Sequence, residues 1–105
     1  MAPGNFKIVM SVIDNKPGRE TSKFKAGSTV YYWARINCPV ENDFVTVQID
    51  MPGGKKWEKK HGINLNTLSG YLIWSAKGFG LAGKYKVRIL NSSGGEIAAK
   101  EFSME

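Results

Sequence analysis

Residues 81 to 104 hold two arms of alternating side chains joined by a polar glycine turn. In the first arm Tyr85, Val87 and Ile89 alternate with Lys84, Lys86 and Arg88. Asn91-Ser92-Ser93-Gly94-Gly95 follows, and Glu96 to Met104 makes the second arm. Side chains on a strand point alternately to opposite faces, so a period of two marks an extended chain with one buried face. Polar residues and glycines between such runs favour an antiparallel hairpin over a crossover. Gly83, a small residue, stands two before Tyr85.

The same reading extends along the chain. Phe6 to Ile13 predicts a first strand, with Phe6, Ile8, Met10 and Val12 on one face and a turn at Asp14-Asn15-Lys16-Pro17-Gly18. Thr21 to Lys25 is short and fits either a strand or a loop. Thr29 to Ile36 predicts a strand with Val30, Tyr32, Ala34 and Ile36 inward and Tyr31, Trp33 and Arg35 on the other face. A loop is expected at Cys38 to Asp43. Phe44 to Met51 predicts a strand with Val45, Val47, Ile49 and Met51 inward, closed by Pro52-Gly53-Gly54. Lys55 to His61 is mostly polar and reads as an edge strand, because lysines discourage pairing with another chain. Gly62 to Gly70 carries little pattern, and Tyr71 to Ala76 is a strand apolar on both faces. The expected fold class is all-β, a sandwich of about seven strands. Val47, Ile49, Val87 and Ile89 should be buried and face each other across two sheets.

With 105 residues, 42% hydrophobic, the chain suits one domain with a single core. No apolar run approaches the roughly 18 residues of a membrane helix. Met1 to Asn5 lacks the basic and apolar regions of a signal peptide. The abrupt start before a strand fits a domain cut from a longer exported chain, which would place it in the cell envelope or outside. Otherwise the expected location is the cytoplasm. Cys38 and His61 are the single cysteine and histidine, so an internal disulfide and a zinc site built from cysteine and histidine are both ruled out. No cofactor is expected.

Catalysis is hard to assemble from these residues. General acid–base work near neutral pH wants a histidine or a tuned carboxylate pair. His61 lies among lysines with only Glu58 close in sequence, and the aspartates lack paired spacing. Gly78, Gly80 and Gly83 match a dinucleotide-binding spacing by letter, but they open a strand, whereas phosphate is held at a helix N-terminus.

The aromatics lead elsewhere. Tyr31, Trp33, Trp57 and Trp74 cannot all fit one small core. Trp74 is assigned to the core because its strand is apolar on both faces. Trp57, flanked by Lys55, Lys56, Glu58, Lys59 and Lys60, is expected to be accessible, at a sheet edge, and ringed by ammonium groups. Two uses follow. Trp57 with Trp33 or Tyr31 could stack on a glycan, or the lysines could meet phosphate or sulfate on a polyanion such as nucleic acid. The competing structural reading is a solvated edge strand whose lysine stems cover the tryptophan. The net charge of +6 suits either, and is also ordinary for solubility.

The hairpin over 81 to 104 resembles the closing hairpin of an immunoglobulin-like Greek-key β-sandwich. Tyr85 is similar to the tyrosine whose hydroxyl folds back onto upstream backbone in those domains. Val87 would then stand where disulfide-bonded members have a cysteine. Trp74-Ser75-Ala76-Lys77, Gly83-Lys84-Tyr85-Lys86-Val87, Gly95 and Phe102 are together similar to a family of bacterial immunoglobulin-like domains of unknown function. That family tends to carry tryptophan where Tyr85 stands. The resemblance covers the back third of the chain and implies a non-catalytic accessory module, for binding or spacing, in a larger envelope-associated protein. Its partner would be a protein or a glycan.

Overall fold

The computed structural model describes residues 2–37, 43–63 and 70–105. Within them the chain is all-β. The strands are β1 (Ala2–Val9), β2 (Val12–Ile13), β3 (Lys16–Pro17), β4 (Lys23–Phe24) and β5 (Thr29–Asn37). They continue with β6 (Asp43–Asp50), β7 (Lys56–Ile63), β8 (Tyr71–Gly78), β9 (Gly83–Leu90) and β10 (Glu96–Met104). Ten strands replace the expected seven or so. The surplus is β2, β3 and β4, of two residues each, too short for any alternation to register. Of the loop expected at Cys38 to Asp43, residues 38–42 lie outside the described residues and Asp43 opens β6; of the weakly patterned Gly62 to Gly70, residues 64–69 lie outside them.

Three strands in the order β1-β5-β8 form one sheet, and five in the order β4-β10-β9-β6-β7 form a second. All pairings are antiparallel except β4 beside β10. The inner faces of both sheets feed one buried cluster. Phe6, Ile8, Tyr32, Ala34, Ile36 and Ile73 come from the smaller sheet, and Val45, Val47, Ile49, Val87, Ile89 and Phe102 from the larger. Each such aliphatic side chain stabilises the fold by about 1.5–3 kcal/mol on burial. Val47, Ile49, Val87 and Ile89 are all at most 1% exposed, as expected. They do not face each other across the sheets, however. Val47 pairs with Ile89 and Ile49 with Val87 as neighbours in one sheet. Alternation shows which face a residue takes, and leaves open which strand lies beside it.

The first strand is shorter than its pattern. β1 ends at Val9, and Met10, expected on the inner face, is 52% exposed. From Met10 the chain folds into a hairpin. Met10 N–H donates to the Arg19 carbonyl at 2.9 Å, and Gly18 N–H to the Ser11 carbonyl at 2.8 Å. Asp14 and Asn15 turn it with φ of 52° and 61°, the left-handed pair that a two-residue hairpin needs and that Asp and Asn tolerate. A Cβ on Gly18 would lie 2.2 Å from Ser11 Oγ and 3.1 Å from the Ser11 carbonyl oxygen, so any larger residue would force the Ser11 side chain to move.

Tyr85 is buried, and its hydroxyl donates to the Leu81 carbonyl at 2.5 Å, the fold-back bond expected of it. Its ring stacks on Phe102, with centroids 4.9 Å apart. Gly83 explains the small residue two before it. Its φ is 138°, and a Cβ there would meet Pro52 at 2.7 Å.

Candidate ligand-binding surfaces

Two surfaces carry the aromatic residues, and they lie on opposite sides of the smaller sheet. β5 and β8 pair so that Trp33 sits beside Trp74, Tyr31 beside Ala76 and Arg35 beside Leu72. These residues share the face turned away from the core. Trp74 is therefore not a core residue: it is 38% exposed. Its strand is apolar on both sides, but only Ile73 and Ser75 on the inner side are buried in mid-strand. Trp33, offered above as a stacking residue, is the buried one. The β2–β3 hairpin covers it, and Asn15 takes its indole proton on the backbone carbonyl at 2.9 Å. The Arg35 guanidinium lies over its ring at 5.5 Å.

What reaches solvent is a pair, Trp74 exposed and Tyr31 half-buried. Tyr31 and Trp74 stack with centroids 6.4 Å apart and planes 29° from parallel. Trp74 donates its indole proton to the Asn15 side-chain oxygen at 3.2 Å, which fixes the ring on the sheet. Tyr31 also lines a shallow cleft of about 450 Å³ with Met10, Ser28 and Thr29, where Lys23 and Lys25 stand as well. Ile13, 69% exposed, stands two residues from Asn15. The result is a shelf of rings and methyl groups with amide and hydroxyl groups beside it.

β7 is the edge strand predicted from its lysines. The ammonium groups expected around Trp57 divide: Lys55 and Lys56 stand at a cleft with it, and Lys59 and Lys60 are held by other partners. Trp57, Lys59, His61 and Ile63 share the inner face, while Lys56, Glu58 and Lys60 point to the other. Trp57 is half-buried against the core and packs 6.3 Å from the Tyr32 ring. Lys59 donates to Ser75 Oγ at 3.1 Å, and Lys60 lies 3.9 Å over the Phe44 ring. Glu58 accepts from Gln48 at 2.6 Å. Lys55 and Lys56 stand with Trp57 and Lys77 at a separate cleft. Nor do Trp57 and the pair Trp33 and Tyr31 meet: Trp57 touches Tyr32, the inward neighbour of both, so the thickness of the sheet lies between.

Between the edge strands β7 and β8 lies a polar chain that the sequence reading missed. The Tyr32 hydroxyl is 2.6 Å from His61 Nε2. Lys59 can only donate, so Ser75 Oγ accepts from it. The Ser75 hydroxyl is then free to donate to Tyr32, and Tyr32 donates to His61 in the tautomer that carries the imidazole proton on Nδ1. Burial pushes the Tyr32 phenol well up, with the Ser75 bond acting weakly the other way. Burial, and then the Lys59 charge, pull the His61 imidazole down from 6.5 to about 4. The signal was present in the alternation: counting by two from Trp57 reaches Lys59, His61 and then Ile63, which is 3% exposed.

Among the described residues no three His, Cys, Asp or Glu side chains gather where a metal could sit, and no helix is long and apolar enough to cross a membrane. Compared with known proteins, the chain matches no family model and no curated protein sequence.

Proposed function

We propose that this chain is a non-catalytic binding module with an immunoglobulin-like fold, acting as an accessory part of a larger protein, and that its ligand is a neutral glycan held on Tyr31 and Trp74. The fold part is supported by the strand orders β1-β5-β8 and β4-β10-β9-β6-β7, and by the Tyr85 bond to Leu81 at the start of the penultimate strand. The observation that carries the ligand part is the stack of half-buried Tyr31 on exposed Trp74, whose indole Asn15 holds. Large aromatic rings left in solvent on a sheet face mark contact surfaces. A sugar ring offers CH groups for such a face and hydroxyls for the amide at its margin. Ala76 and Trp33, the residues paired with Tyr31 and Trp74, are uncharged, and the cations on this face, Lys7 and Arg35, stand beside Trp33 and Leu72.

The polyanion reading loses support, because the lysines of residues 55 to 60 split between two faces and two of them are engaged. A pure spacer would bind no ligand at all. The test is calorimetric titration with cello-, xylo- and chito-oligosaccharides. At least one should bind, its affinity should hardly change with salt, and Trp74→Ala should weaken it by about tenfold or more with the melting temperature nearly unchanged. If no neutral oligosaccharide binds, or if Trp74→Ala binds as well as the parent, the shelf is not the site.

A further inference from the structure

A second site lies at the end of the molecule where the turn after β6 meets the turn after β8. A cleft of about 330 Å³ opens there. Its apolar surfaces are the rings of Trp57, Phe79 and Tyr85, and Lys55, Lys56 and Lys77 stand around it. Phe79 and Tyr85 are nearly closed to solvent and lie 4.8 Å apart, so that part of the wall is rigid. Tyr85 has its hydroxyl committed to Leu81.

The charge is one-sided. No lining side chain is acidic, and Lys55, Lys56 and Lys77 make no ion pair among the described residues. The nearest acids are engaged by other groups. Glu58, on the same face of β7 as Lys56, accepts from Gln48, and Asp50, paired with Lys56 across β6 and β7, holds Arg88 together with Glu96 at 2.8 and 2.6 Å. Three free cations around an aromatic wall, with no carboxylate, form a site selective by sign and by shape.

We infer that this cleft binds a small organic anion, with a flat apolar body against Trp57 and one acidic group met by Lys56 and Lys77. Its volume is at the small end for ligand sites, enough for a ring or fused ring pair with its acid group. Lys59 and Lys60 are engaged by Ser75 and the Phe44 ring, so the cations of the cleft are Lys55, Lys56 and Lys77. The site is separate from the Tyr31–Trp74 shelf and stands or falls independently of it.

The test uses 2-naphthoate and its neutral counterpart 2-naphthylmethanol as probes, followed by amide shifts in NMR spectra of the intact chain. Naphthoate should shift residues 55–57 and 77–80, and the alcohol should bind roughly tenfold more weakly. The variant Lys56→Gln with Lys77→Gln changes only exposed side chains. It should weaken naphthoate by roughly threefold to thirtyfold and leave the alcohol unaffected. Trp74→Ala should change neither. The inference is overturned if naphthoate does not bind, if both probes bind equally, if the shifts centre on Tyr31 and Trp74, or if the double variant binds naphthoate undiminished.

Discussion

Acid should weaken this fold through His61, and replacing that one residue should remove the effect. Folded, the imidazole sits in the seam between β7 and β8, accepts from Tyr32 at 2.6 Å, and takes a proton only near pH 4. Unfolded, it takes one near its ordinary 6.5. Between those values the unfolded chain binds a proton that the folded chain refuses. The stabilisation is therefore whole above pH 6.5 and is lost as the pH falls toward 4. At about 1.4 kcal/mol per unit the gap sets a ceiling of about 3 kcal/mol. His61 is only half-buried, and solvent screening brings the expected loss to about 1–2 kcal/mol. Among the described residues the groups facing the imidazole are Tyr32, Ser75 through Tyr32, and Lys59, and none of these is a carboxylate that would offset the new charge. His61→Gln keeps an acceptor close to the position of Nε2 and cannot titrate. Urea melts at pH 7.0 and 4.5 give the comparison. The parent midpoint should fall by roughly 1 M more than that of the variant. If both midpoints fall equally, the imidazole is not held neutral in the fold and the chain from Lys59 to His61 is misassigned.

Two further outcomes follow from the packing. Tyr85→Phe keeps the stack on Phe102 but removes the bond to Leu81, so a denaturant melt should show a loss of roughly 0.5–1.5 kcal/mol; no loss would mean the bond contributes nothing. Trp57→Ala should lower stability by about 2–4 kcal/mol, because the ring packs on Tyr32 and the core edge and leaves a gap on removal; an unchanged melting temperature would show that Trp57 is a surface residue after all.

The alternation made the long strands legible. Val45, Val47 and Ile49 alternate with Thr46, Gln48 and Asp50, and the buried face is the one this predicts. The lysine-rich arm is an edge strand for the reason its composition suggests. Neighbour relations were not legible. Nothing local in Val47 or Ile89 says that they sit side by side, since that depends on which strands the chain brings together. The candidate surfaces were misread for a related reason. Trp33 and Trp74 lie directly opposite on adjacent strands, and sequence alone treats them as equivalent apolar rings. What separates them is the hairpin over residues 10–19, whose Asn15 spends its backbone carbonyl on one indole and its side chain on the other. Two left-handed residues and one glycine pressed against Ser11 build that cover, and each is a local feature with a distant consequence.

The two surfaces share β8, and its register decides both. Trp74 and Ser75 are adjacent, so they point to opposite faces. Trp74 carries the outer shelf, and Ser75 joins Lys59 to Tyr32 inside. A slip of one residue would put the indole in the seam and the serine in solvent. The apolar neighbours resist such a slip weakly, since Leu72 and Ile73 could exchange faces at little cost in buried area. Polar contacts discriminate more sharply. Ser75, at 9% exposure, is the one polar residue counted as buried among the described residues, and a slip would leave the Tyr32 hydroxyl in the seam without the Ser75 bond. The same chain that makes the fold sensitive to acid thereby favours the register in which Trp74 faces outward beside Tyr31.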